Sequence, residues 1–200
     1  MLKKIKNGKG KKESLYCLAV DPGFVETGLV LIAPGKKLKA FATFRAPQGI
    51  HDSCRAIGLT KAIGEQILDW LEPLALINAN VLVGIELPVY TGNAVVFTKQ
   101  VRLIQEIEAW LSAILSTARL IEIYPTESKF ILTGRGGANK EEMINASPFK
   151  KMSMPRETQE ALADAWGHGI AALSLRDNAV DISEYNYIER PAEKIMEGFA

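Results

Sequence analysis

Leu18-Ala19-Val20-Asp21-Pro22-Gly23 is the stretch on which the reading of the fold turns. An apolar run ends in a carboxylate, and Pro-Gly then stops the strand and makes a tight turn. Leu15–Val20 therefore reads as a first strand, Gly28–Ala33 as a second, and Leu38–Phe44, after the turn at Pro34-Gly35, as a third. Short connections make these an antiparallel meander.

The pattern then changes period. Leu59, Ile63, Ile67, Trp70 and Leu71 recur at helical spacing, so a helix is expected from about Ser53 to Leu71, closed by Pro73. Val81–Ile85 is a compact apolar run ending in Glu86; after a helix, such a run suits a buried parallel strand. A long helix follows over Ala94–Thr117, then a strand at Leu120–Tyr124 stopped by Pro125. Residues 126–152 are less regular, with Thr133-Gly134-Arg135-Gly136-Gly137 as a loop between two weak helical stretches. The last strong element is a helix over Arg156–Arg176 with Leu162, Trp166, Ile170 and Leu173 as its buried stripe. The order β-β-β-α-β-α-β-α predicts an α/β domain with a mixed five-stranded sheet flanked by helices. It also predicts three segments: a disordered basic arm (1–13), the folded domain (14–176), and an acidic tail (177–200) with a short helix near Ala192–Phe199.

Bulk properties narrow the class. The chain has 200 residues, 48% hydrophobic and 24% charged, enough for an ordered core without staples. No apolar run approaches the roughly 18 residues that span a bilayer, so no membrane partner is expected. Two cysteines, Cys17 and Cys54, match neither a zinc spacing nor a disulfide framework, and a reducing, cytoplasmic setting is the expectation. The formal charge of +1 is unevenly spread: residues 1–12 carry six lysines and no acid. Such an arm solvates itself or touches polyanions nonspecifically. The glycine-rich loop lacks the Lys-Ser/Thr that a P-loop requires.

The acids point to chemistry. Asp21 and Glu86 each end an apolar strand, and sites in α/β sheets form outside the carboxyl ends of strands. If those strands are parallel neighbours, their ends lie about 4.8 Å apart. That spacing suits two carboxylates sharing hard cations held about 3.5–4 Å apart. Glu157, Glu160 and Asp164 share one face of the last helix and can complete an oxygen ligand set. Singly, each acid has an ordinary reading: an Asp before Pro-Gly forms turns, and a first-turn Glu favours the helix dipole. Their conjunction is what favours a metal site.

With these residues in view, the chain resembles the RuvC-type Holliday junction resolvases of the RNase H-like superfamily. Leu18–Gly23 with Thr27-Gly28 resembles the family's opening motif. Gly84-Ile85-Glu86 with Tyr90 and Asn93 resembles the second, and Tyr124-Pro125-Thr126 through Lys129, Leu132-Thr133-Gly134 and Lys140-Glu141 the basic third. Ala163-Asp164-Ala165 resembles the core of the last. The resemblance covers about residues 15–175 in order.

It implies a crossover junction endodeoxyribonuclease of recombination and repair, in a bacterium or a phage. Such an enzyme acts on branched DNA as a homodimer, making paired nicks by two-metal in-line hydrolysis that leaves a 5′-phosphate. Asp21, Glu86 and Asp164 would hold two Mg²⁺ ions, for which Mn²⁺ can substitute. Lys140 would sit by the scissile phosphate, Lys129 on backbone phosphate, and Tyr90 at the opened junction centre. The family's second Asp or His, three residues before the last Asp, is Ala161 here; Glu160 is the substitute expected as fourth ligand. Arg135 suits phosphate contact or a solvated loop; Lys99 and Arg102 face either DNA or plain solvent. His168, one turn past Asp164, is either a packed helical histidine or a proton-transfer group. Competing readings are a related nuclease that cuts flaps, forks or RNA–DNA hybrids, and a non-catalytic junction-binding module.

Overall fold

A computed structural model describes residues 15–49, 51–76, 81–115 and 117–176, and the backbone of 187–191. The elements are β1 (Cys17–Asp21), β2 (Thr27–Ala33), β3 (Lys37–Phe44), α1 (Asp52–Leu71), β4 (Leu82–Glu86), α2 (Ala94–Ile114), β5 (Arg119–Ile123), α3 (Pro125–Thr133), α4 (Lys140–Ala146), α5 (Arg156–Arg176) and β6 (Tyr187–Pro191). They form one mixed sheet in the order β3-β2-β1-β4-β5-β6. The meander β1–β3 is antiparallel, β4 and β5 join parallel to β1, and β6 closes the far edge antiparallel to β5.

The five expected strands are all present. The sixth comes from a stretch expected to lie outside the domain, so the chain after α5 returns to the sheet. The basic arm of residues 1–13 and the helix expected near Ala192–Phe199 lie outside the described residues. The irregular stretch resolves into two short helices. Pro125 opens α3, with its fixed φ and missing N–H suited to a first helical position, and Gly134 closes it in the left-handed region at φ 80°. Asn139 caps α4 in a reciprocal capping box with Glu142.

Side chains alternate across the sheet and sort the core into two layers. Leu18, Val20, Val83 and Ile85 face α1 and α2 together with Leu59, Ile63, Leu103 and Ile107. Cys17, Ala19, Leu82 and Ile123 face α5 with Leu162, Ala165, Trp166 and Ala172. By the same parity Asp21 and Glu86 point to the α5 side. That is the first positional fact about the site.

Helix α5 is buried on nearly every side, with the sheet beneath it and α3 and α4 against its other flank. Missing side chains let it lie this close. A Cβ on Gly28 of β2 would stand 2.2 Å from the Ala161 carbonyl oxygen, and one on Gly84 of β4 would stand 2.7 Å from that of His168. Glycine at these two positions admits the helix backbone onto the sheet. Of the small residues on α5, Ala165 faces the sheet layer, whereas Gly167 turns toward Met143 and Leu132.

Candidate metal centre

β1 and β4 pair in parallel with Val20 opposite Ile85, so Asp21 and Glu86 follow side by side at the two strand ends. The turn after Asp21 is pinned by Thr27, whose hydroxyl accepts from the Gly23 N–H at 3.1 Å and donates to the Gly23 carbonyl at 2.8 Å. Glu86 is oriented from α2: Gln100 Nε2 donates to its Oε1 at 2.9 Å. Asp164, on α5, lines one depression of about 220 Å³ with Asp21, Glu26, Lys140 and Glu160. Three acids from distant parts of the chain thus converge on one rim of the sheet.

A fourth group lies among them. His168 is 1% exposed, with Nε2 3.4 Å from Glu86 Oε2 and 3.8 Å from Asp21 Oδ1. Neither of its ring nitrogens has a hydrogen-bond partner among the described residues. Asp21, Glu86 and His168 each offer one donor atom, all within 4.8 Å of one another. On sequence, the packed-histidine reading of His168 competed with a proton-transfer one. It is packed, but packed at the strand ends. Its spacing from Asp164, one helical turn, was the available signal.

The electrostatics describe a site short of cations. Burial pushes the Asp21 carboxyl up to about 7; His168 pulls it back down, while the Glu86 and Asp164 carboxylates push it further up. Burial also raises Asp164, with the charge of Glu86 adding to it against the pull of His168, Lys140 and Lys129. Burial would raise Glu86 as well, but its contacts with His168 and Gln100 leave it lowered. Burial pulls His168 down, yet the two carboxylates beside it outweigh that and hold it at about 10. Half-buried oxygen donors that resist ionising together are what a divalent cation relieves. The donor set therefore fits a hard divalent ion, which takes oxygen ligands and keeps several waters.

The remaining expected residues divide into two groups. Lys140, at the start of α4, reaches the rim, and its ammonium lies 2.6 Å from Glu160 Oε2. Glu160, the expected fourth ligand, also takes Arg156 Nε at 3.0 Å. Its carboxylate is engaged by two cations and stands apart from the tight group. Ala161, the alternative position, backs onto Gly28 with its carbonyl and carries no donor side chain. Lys129 is half-buried on α3, near enough for its charge to act on Asp164.

Tyr90 follows β4, is 59% exposed, and sits edge-on to Phe97 with ring centroids 5.8 Å apart. Lys99 and Arg102 reach α1 instead of standing free toward a ligand: Lys99 pairs with Asp52 at 2.8 Å, and Arg102 donates to Ser53 Oγ at 2.8 Å. Arg135 pairs with Glu142 across the α3–α4 loop. Glu26 was not singled out from sequence. It ties the β1–β2 loop to α5 through Thr158 at 2.6 Å and to Arg45, the residue that follows β3, at 2.8 Å.

Thermus thermophilus RuvC superposes with a TM-score of 0.61 at 19% identity, covering 82% of this chain and 97% of that one. The fold is RNase H-like. The same protein in complex with a Holliday junction substrate gives a TM-score of 0.59 at 15% identity, covering 82% and 96%. No protein-family model matches the chain, nor does any curated protein sequence. Among the described residues no helix is long and apolar enough to cross a membrane.

Proposed function

We propose that this protein is a divalent-metal-dependent endodeoxyribonuclease that resolves four-way DNA junctions, acting as a homodimer in the cytoplasm. The reading is carried by one observation: Asp21, Glu86 and Asp164, far apart in sequence, share one rim where burial and neighbouring negative charge oppose the ionisation of Asp21 and Asp164. The overlap with the fold of RuvC, whose complex with a Holliday junction substrate is known, supports branched DNA as the ligand.

Asp21, Glu86 and Asp164 would hold two Mg²⁺ ions. When bound, those ions would activate the attacking water, stabilise the leaving oxygen and leave a 5′-phosphate. The protein's own groups do the rest. Gln100 fixes the Glu86 carboxylate in its orientation. Thr27 holds the turn that ends β1, so Asp21 stays at its strand end. Lys140 brings positive charge to the rim beside Asp164, where a scissile phosphate would gather negative charge. Glu160 and Arg156 set the position of that ammonium, which makes Glu160 a positioning residue in this proposal. Lys129 would meet backbone phosphate, and the exposed ring of Tyr90 would stack on an unpaired base at the junction centre.

The test is cleavage of end-labelled DNA by the full-length protein with Mg²⁺, comparing a four-way junction, a flap and an RNA–DNA hybrid. Paired nicks in the junction are expected, with a 5′-phosphate at each. Preference for flap or hybrid would replace the substrate, and metal-independent cleavage would remove the site assignment.

A further inference from the structure

The acids are not the only donors at this rim. His168 projects from α5 into the gap between the ends of β1 and β4. Its backbone lies against the sheet because Gly84 has no side chain to hold it off. The imidazole is 1% exposed, and both nitrogens lack a hydrogen-bond partner among the described residues. A buried polar group left without a partner is costly, and such groups persist where a ligand or ion completes them.

The distances are those of a collapsed ligand cage. Around an ion with ligands at about 2.1 Å, adjacent donors stand roughly 3.0 Å apart and opposite ones roughly 4.2 Å. Here the Nε2 of His168 lies 3.4 Å from Glu86 and 3.8 Å from Asp21, with all three donors within 4.8 Å. Shifts of under about an ångström would seat an ion among them. Glu160 cannot fill this place without giving up Lys140 and Arg156.

The geometry points to His168 as a nitrogen ligand to one of the two ions, completing the set that Ala161 leaves short. This rests on the metal-dependent reading above and adds a consequence to it. Imidazole suits first-row transition ions, whereas Mg²⁺ holds to oxygen. A site with one nitrogen donor therefore favours Mn²⁺ over Mg²⁺.

The probe is Mn²⁺ alone, added to the full-length protein and followed by pulsed electron paramagnetic resonance. The chain has only two histidines, His51 and His168, so the source of a nitrogen signal can be resolved. The expected result is a ¹⁴N coupling on bound Mn²⁺ that changes to ¹⁵N when the protein is grown on ¹⁵N-histidine. It should survive His51→Gln and vanish in His168→Gln. Mn²⁺ affinity should fall about tenfold or more in His168→Gln, while Mg²⁺ affinity changes less than about threefold. The isotope exchange in the unaltered protein shows that a histidine ligates, and its survival in His51→Gln assigns it to His168 even if His168→Gln fails to fold. Mn²⁺ that binds in an Asp21-dependent way without nitrogen coupling would overturn the role of His168 and leave an all-oxygen nuclease site standing. A signal lost in His51→Gln would also overturn it. No Mn²⁺ binding at all would overturn both this inference and the metal-dependent reading.

Discussion

Two charged neighbourhoods meet on α5, and they differ in how their charges are satisfied. At the outer end, Glu160, Lys140, Arg156 and Glu141 form a chain of ion pairs in which each charge has an opposite partner. Most of that chain is open to water, where such pairs contribute little to stability. One to two turns deeper, Asp21, Glu86, Asp164 and His168 lie half-buried or buried, with three potential negative charges against one positive. The outer network is complete in itself. The inner one is held together by the fold against its own repulsion. That arrangement is unfavourable without a cation and useful with one.

The sharpest way to break this contrast is to remove an inner acid. Asp21→Asn or Glu86→Gln should lower junction cleavage about a thousandfold or more while gel-shift binding of the junction persists. Near-normal cleavage by both variants would erase the distinction between the two neighbourhoods. In metal-free protein, Asp21→Asn should also raise the Tm by a few degrees, because a buried carboxyl held up to about 7 destabilises the fold when ionised.

Next in size is the packing that brings the inner group together. Gly28→Ala would drive a Cβ into the Ala161 carbonyl, a backbone atom of a helix that cannot turn aside. A loss of about 2–3 kcal/mol is expected in urea unfolding, with weakened metal binding. An unchanged midpoint would mean that α5 is not pinned where the site requires it.

pH separates the two regions in a third way. The histidine contribution to stability is fully present below its ordinary value of 6.5 and is lost as pH rises through about 10. Asp21, also raised, loses its contribution as pH rises from 3.8 through about 7. Both effects weaken the metal-free protein as pH rises. Divalent ions compete with the same protons, so the Tm increase that Mn²⁺ gives should be small at pH 6 and larger at pH 8.5. A pH-independent shift would place the bound ion away from these groups.

The smallest expected change concerns the outer network. Glu160→Gln should alter cleavage less than about tenfold, because it loosens Lys140 without removing a donor from the tight group. A loss as large as that of Asp21→Asn would promote Glu160 to a metal ligand.

Much of this was legible in the chain itself. Asp21 and Glu86 announce themselves because an apolar run ending in an acid before proline is a strand end, and two parallel strand ends are neighbours. The long helices were readable from their period. β6 was not, because Tyr187–Pro191 is a short segment, with a proline, in an acidic stretch, and its pairing is set by the exposed edge of β5. Lys99 and Arg102 show the limit for charged residues: spacing says which face they share, but only tertiary contact reveals Asp52 and Ser53 waiting there. Glu160 and His168 mark the same limit within the site. Both lie near Asp164 in sequence. Which of them turns inward depends on Gly84 and on the reach of Lys140, neither of which is local to α5.

The most direct measurement is the nicking of an end-labelled four-way junction by the unaltered protein, with Mg²⁺ and with the ion chelated. The account predicts symmetrical nicks with Mg²⁺ and none with chelator. Intact junction at every Mg²⁺ and Mn²⁺ concentration, in protein that still binds it, would contradict the account.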